Sequence, residues 1–274
     1  MKNIIGMKKY KAILFDGDGV LWTSDQPQKG INALFKYLSE NEIRWALLTN
    51  NNSHTVQHYL DKFIGFGIHV QERSVFTSAT VTAVYLLDQY GPGASLHVVG
   101  NPGLISTLQE YGFILSDGKD APRGQVDAVV AGMDLQINYQ KIKVAMRLIM
   151  NGAPFVATNT DGSYPTIEGI NPATGMVIGA IQAASGVTPY VVGKPYRAIF
   201  EAALKDLEVV PAETLMVGDR LDTDILGSNQ LGIDSAAVLS GVSSKEEIEE
   251  STIKPTYIFK NIEALHRSLI EVYL

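Results

Sequence analysis

The sequence predicts an α/β fold, a doubly wound parallel sheet with a second α/β domain inserted part-way along its 274 residues. Three observations predict it. Short apolar runs alternate with longer amphipathic ones, the pattern of repeated βαβ units. Most of the short runs are apolar on both faces, as strands buried between two helical layers must be. The polar, Gly-rich turns at strand ends concentrate in the first quarter and the last third of the chain. The middle carries strands and helices of its own with fewer acidic turns. The expected boundaries are a discontinuous core of residues 1–80 and 188–274 around an inserted domain of residues 81–187.

In chain order, "KAILF" is the first strand and "GINALFKYLSENE" the first helix. "RWALLTN" is a strand, and "HTVQHYLDKFIGFG" and "ATVTAVYLLDQYG" are helices. "SLHVVG", "DAVVAG" and "PFVAT" come next as strands, separated by the helices "PGLISTLQEYG" and "NYQKIKVAMRLIMNG". Several helices close on Gly, a common C-terminal stop. From Gly169 to Gly193 no residue is charged. That stretch is too interrupted by Asn, Pro, Thr, Gln and Gly to span a bilayer, and it reads as buried protein. The last third alternates the strands "YVVG", "TLMVG" and "SAAVLS" with the helices "RAIFEAALKDLE" and "DTDILGSNQLG".

Composition narrows the function. The chain is 46% apolar and 19% charged, ordinary for a globular protein and unlike a disordered one. Its net charge of −7 argues against nucleic acid or an anionic membrane as partner. An anionic small molecule would need a local device to receive it, such as a metal ion, a lysine or a helix N-terminus. The absence of cysteine excludes disulfides, thiol catalysis and Cys-based zinc sites, and fits a reducing compartment. "MKNIIGMKKYK" lacks the apolar core of a signal peptide, so a cytoplasmic location is the expectation.

In open α/β sheets, ligands bind beyond the carboxyl ends of the strands, which directs attention to the residues just past each strand. After "AILF" stand Asp16 and Asp18, each beside a glycine. After "RWALL" come Thr49, Asn50, Asn51, Asn52 and Ser53 ahead of a helix, either an N-cap or a seat for phosphate. After "YVV" comes Lys194 between Gly193 and Pro195. After "TLMV" comes "GDRLDTDI", with Asp219, Asp222 and Asp224. Val20, Leu21 and Pro27 stand where a calcium loop needs a ligand, a Gly and a bidentate Glu, which rejects an EF-hand. Thr188 and Pro195 reject a Walker A loop, and "VVGNPGLIS" lacks G-x-G-x-x-G, which removes a dinucleotide-binding reductase.

Taken together, "FDGDGVLW", "LLTNNNS", "VGKP" and "VGDRLDTDI" resemble the four motifs of the haloacid dehalogenase superfamily. The resemblance is to its 4-nitrophenylphosphatase, phosphoglycolate and pyridoxal phosphate phosphatase branch, and "VDAVVAGMDLQINYQKI" resembles that branch's cap. It implies a Rossmann-like core with an inserted C2-type α/β cap, and a Mg²⁺-dependent phosphatase of small phosphorylated metabolites. On that pattern Asp16 and Asp219 would give side-chain oxygens to the metal and Asp18 its backbone carbonyl. Asp224 would hold metal-bound water or orient the cluster, and Asp222 would be a solvated helix residue. Asp16 would attack phosphorus, and Asp18 would protonate the leaving alcohol and then activate water. Thr49, Asn50 and Lys194 would hold the phosphoryl group. In the cap, Asn159, Thr160 and Asp161 could reach the substrate. His54 stands where many relatives carry Lys or Arg, which would reduce affinity for highly charged esters. Relatives often pair through the cap, so a homodimer by that surface is a further expectation.

Other readings remain beside this one. A phosphotransferase or mutase is disfavoured by the large mid-chain cap, and a dehalogenase by the presence of Asp18. A non-catalytic ligand-binding relative predicts loss of one of Asp16, Asp18, Lys194 or Asp219, and all four are present.

Overall fold

The computed structural model describes residues 7–70, 72–116, 126–166 and 169–273. The start of "MKNIIGMKKYK" and residues 167–168 of the polar stretch after "PFVAT" lie outside them. The chain divides into two compact units. One holds residues 1–48, 57–76 and 200–274, and the other residues 49–56 and 77–199.

The first unit is built on a six-stranded sheet. Its strands are β1 (Ala12–Phe15), β4 (Arg44–Thr49), β5 (Val75–Thr77), β13 (Thr214–Gly218), β14 (Asp234–Val238) and β15 (Tyr257–Phe259). They lie in the order β15-β14-β13-β1-β4-β5. The pairs from β15 through β4 are all parallel. From β1 the chain winds outward one way through β4 and β5, and later the other way through β13, β14 and β15. The reversal falls between β1 and β13, whose Phe15 and Val217 stand in register. Such a switch point opens a crevice at the carboxyl ends of the strands. A small hairpin, β2 (Trp22–Thr23) with β3 (Gln26–Pro27), comes after β1.

α1 (Ile31–Glu40) buries Ile31, Leu34, Phe35 and Leu38, one face of a 3.6-residue period. α2 (Val56–Gly65) buries Tyr59 and Phe63. The Phe35 ring meets Trp45 edge-on at 4.5 Å and Phe63 at 5.6 Å, forming an aromatic cluster. Four further helices, α7 (Arg197–Asp206), α8 (Leu226–Gln230), α9 (Lys245–Glu250) and α10 (Ile262–Tyr273), belong to the last third. The helix expected over "DTDILGSNQLG" is not uniform. A π-helical turn spans Leu221–Ile225, where the Ile225 amide donates to the Arg220 carbonyl, and only then does α8 begin.

The second unit has a five-stranded sheet of order β12-β9-β8-β6-β7. The ranges are β6 (Ser95–Val99), β7 (Ile114–Ser116), β8 (Ala128–Ala131), β9 (Phe155–Ala157) and β12 (Tyr190–Val191), all in parallel. A hairpin pairs β10 (Ser163–Thr166) with β11 (Gly169–Pro172). Its helices are α3 (Ser78–Tyr90), α4 (Pro102–Glu110), α5 (Tyr139–Met150) and α6 (Thr174–Ser185). A Thr77–Thr80 capping box starts α3, and the Asn138 side chain caps α5 through the Gln140 and Lys141 amides.

Two boundaries differ from those the sequence predicts. The division falls at residues 76/77 and 199/200, not at 80/81 and 187/188, and residues 49–56 group with the second unit. At the later boundary the reason is backbone pairing: "YVV" extends the second sheet, with Tyr190 beside Val156 and Val191 beside Ala157. Its apolar sequence does not reveal which sheet it joins.

Candidate active site

In the first unit, the backbone of β1 delivers Asp16 beside β13, the Asp16 amide donating to the Val217 carbonyl at 2.9 Å. Asp219 comes directly after Gly218, the last residue of β13. Carboxylate oxygens of Asp16, Asp219 and Asp224 all lie within 4.8 Å of one another, the first partly exposed and the others buried. Three anions so close repel strongly unless a cation lies among them. The donor set is entirely hard oxygen, which suits Mg²⁺ and excludes metals that need sulfur or imidazole. The residues present therefore fit the expected ion.

The π-helical turn explains how Asp224 reaches this group. It turns the side chain back so that Asp224 Oδ2 accepts the amides of Asp219 at 3.2 Å and Arg220 at 3.1 Å. Asp219 is held from a second side by the loop after β14: Val242 donates its amide to Asp219 Oδ2 at 2.8 Å, and Ser243 donates to the Asp219 carbonyl. Glycines make this closeness possible. A Cβ at Gly218 would collide with the Asp224 side chain, and one at Gly241 with Asp219. Gly19, at a φ of +81°, also abuts Asp219. Asp222 is exposed and pairs with Arg220 at 3.3 Å, as a solvated residue should. Asp18 is not part of the converging trio. Its carboxylate is exposed and accepts the Trp22 indole N–H at 3.1 Å.

The other candidates lie in the second unit, gathered around Asn50. The Asn50 side chain clamps Lys194 from both sides, donating to the Lys194 carbonyl at 2.9 Å and accepting its amide at 2.8 Å. Gly193 is needed there, since a Cβ would meet Asn50 Oδ1 and the Thr158 carbonyl at 2.5 Å. Lys194 is buried, only 2% exposed. The Lys194–Pro195 peptide is cis. Asn50 Nδ2 also donates to Asp161 Oδ1 at 3.0 Å, and the Asn50 carbonyl accepts from Asn159 Nδ2 and the Ser78 hydroxyl, both at 2.7 Å. Thr49 is buried, its hydroxyl accepting the Asn51 amide at 3.1 Å.

This corrects one local expectation. Thr49 and Asn50 do not stand at a helix start, because α2 begins only at Val56. The residues from Asn50 to the start of α2 form a loop of the second unit, with Asn52 fully buried and bonded to Thr158 Oγ1 and the Met133 amide. Among the cap residues, the Asn159 amide is committed internally, accepting the Asp161 amide as well as donating to Asn50, while Thr160 is exposed and Asp161 partly so. His54 is exposed in the loop before α2. Sequence reading missed Ser240, Val242 and Ser243. The Ser240 hydroxyl donates to the Gly19 carbonyl at 2.7 Å. A Ser-Gly pair directly after "SAAVL" was the available signal.

Comparison with known proteins bears on the chemistry. Residues 13–114 match the haloacid dehalogenase-like hydrolase profile, and residues 191–265 match a second, HAD-hydrolase-like one. An acid sugar phosphatase of Staphylococcus saprophyticus is 35% identical over 96% of this chain and 99% of its own. The chain belongs to the haloacid dehalogenase-like hydrolases. Among solved structures, p-nitrophenyl phosphatase from Archaeoglobus fulgidus superposes with a TM-score of 0.89 at 28% identity, covering 95% of this chain and 100% of that one. The 4-nitrophenylphosphatase of Thermotoga maritima gives 0.87 at 30% identity, covering 95% and 97%. This haloacid dehalogenase-type chain is a phosphatase of the 4-nitrophenylphosphatase-like branch. Among the described residues, no helix is long and apolar enough to cross a membrane.

Proposed function

We propose that the chain is a Mg²⁺-dependent phosphomonoesterase acting through an aspartyl phosphate on Asp16. The observation that carries this is the convergence of the Asp16, Asp219 and Asp224 carboxylates at the switch point of the first sheet. Asp16 and Asp219 would hold the ion by side-chain oxygens and Asp18 by its backbone carbonyl. When bound, Mg²⁺ supplies positive charge that offsets the repulsion between an anionic nucleophile and an anionic ester.

The residues then divide the work. An oxygen of Asp16 attacks phosphorus, and the bond from phosphorus to the ester oxygen breaks with its electron pair leaving on that oxygen. Asp18 gives the departing alcohol its proton. Water next attacks the phosphorus of the aspartyl phosphate, Asp18 takes one of its protons, and Asp16 is released with inorganic phosphate. Thr49, the Asn50 backbone amide and Lys194 hold the phosphoryl oxygens. Charge-stabilising groups of this kind are worth on the order of 10²–10³ in rate. Thr160 and Asp161 contribute to substrate choice. The 35% identical relatives named acid sugar phosphatases favour sugar phosphates as the first substrates to test. The reading includes a cytoplasmic location and a homodimer through the second unit, with no nucleic-acid or membrane partner.

Purified protein with Mg²⁺ is expected to release phosphate from 4-nitrophenyl phosphate, and EDTA to stop it. Asp16→Asn is expected to abolish turnover with an unchanged circular dichroism spectrum. Substantial turnover in that variant would overturn the nucleophile assignment.

A further inference from the structure

We propose that Trp22 is the positioning residue of the acid–base step. This rests on the reaction proposed for the acidic site. Trp22 is fully buried, yet it lies only four residues past Asp18 and closes the turn that carries both acids. Its carbonyl accepts the Gly19 amide at 2.7 Å, and its own amide donates to the Gly17 carbonyl at 3.2 Å. The indole supports the backbone between the two acids: a Cβ at Gly17 would come within 2.5 Å of Trp22 Cζ2. Tyr59 stacks on the ring at 6.1 Å, and Phe63 meets it edge-on at 5.5 Å. The Lys62 ammonium sits over the ring at 4.8 Å while donating to the Ser24 carbonyl at 2.6 Å, which ties the hairpin after the turn to α2.

In that setting the indole N–H has one direction to point, and it points at Asp18 Oδ1. An indole N–H donates and never accepts. Oδ1 accepts this bond and is the weaker site for a proton, so the proton passed to the leaving oxygen and recovered from water is assigned to Oδ2. The same bond keeps the Asp18 carboxylate apart from the trio of Asp16, Asp219 and Asp224. Two acids two residues apart thereby take different tasks. The Lys62 ammonium draws electron density from the ring face and strengthens the N–H as a donor.

The test compares Trp22→Phe with the unaltered chain on two esters, 4-nitrophenyl phosphate and a sugar phosphate. Nitrophenolate leaves without help, whereas a sugar alkoxide needs the proton. The expected result is a loss of about 10-fold or more in kcat on the sugar phosphate, a loss below about threefold on the nitrophenyl ester, and unchanged KM on both. In an Asp18→Asn background the same substitution should cost nothing further. Equal losses on both esters, or the same further loss without Asp18, would show a merely structural tryptophan and overturn the proposal. If Trp22→Phe fails to fold, benzothienylalanine at position 22 keeps both rings and removes only the N–H, and the same unequal losses are required of it. Should the unaltered chain with Mg²⁺ leave both esters intact, the reaction and the role of Trp22 fall together. Equal losses in an active chain remove the role of Trp22 alone.

Discussion

Asp224 accepts two backbone amides on one carboxylate oxygen while standing in the acidic trio, so a structural and a chemical demand meet on one side chain. Asp224→Ala would leave the Asp219 and Arg220 amides without that acceptor, a cost of about 1–3 kcal/mol where they are buried. The expected outcome is a melting temperature lower by several degrees. The Mg²⁺ concentration for half-maximal activity should rise at least about tenfold. Calorimetric melting and a Mg²⁺ titration of phosphate release check the two effects separately. The sequence showed Asp16 and Asp219 as carboxylates set at the ends of apolar strands, which is local information. The resemblance assigned Asp224 to metal-bound water or to orienting the cluster, and a spacing of five from Asp219 does not disclose the π-helical turn beside it. The Trp22 bond to Asp18 was hidden for a different reason. "GVLW" reads as an apolar run, and only the packing of α2 fixes where its indole points.

α10 is held by a few polar contacts and carries one partly buried group that titrates near neutral pH. It lies against α1 through the Tyr37 ring, 5.2 Å from His266, and the Tyr37 hydroxyl donates to the Leu269 carbonyl at 3.2 Å. Its last residues are tied to Tyr10, whose amide donates to the Tyr273 hydroxyl at 2.7 Å. Burial lowers the His266 pKa, and its Nε2 has no hydrogen-bond partner. The unfolded chain, with an ordinary histidine near 6.5, therefore binds the proton more readily than the folded one. That contribution to stability is complete above pH 6.5 and declines as the pH falls below it toward the folded value. His266→Phe should flatten this part of the acid limb, seen as a smaller fall in denaturant midpoint between about pH 7 and pH 5 than in the unaltered chain. Elements were legible where pattern and burial agree, as in α1 and the strands β1, β4, β13 and β14. α6 was not. Its glycines and lack of charge conceal a helix, and a Cβ at Gly175 would lie 2.8 and 2.9 Å from the Thr160 and Asp161 carbonyl oxygens.

At the scale of the molecule, the residues given roles in the proposal belong to both units. The carboxylates for the ion are in the first, and Thr49, Asn50 and Lys194 are in the second. Asn50 and Lys194 are 144 residues apart in sequence, and two hydrogen bonds of one amide side chain fix them to each other. No pattern in "TNNNS" or "VGKP" announces that clamp, although both motifs were visible. Asn50→Ala removes both bonds and leaves the Lys194 backbone amide and carbonyl without their partner, while changing nothing in the acidic trio. The expected outcome is a fall in kcat/KM on the order of 10²–10³, similar to that from Lys194→Met. The affinity for Mg²⁺, measured by calorimetry in the absence of substrate, should stay within about twofold, because the substitution touches no carboxylate that holds the ion. A variant that loses Mg²⁺ affinity in step with activity would show the two sets of residues to be energetically one, and would overturn this division of labour.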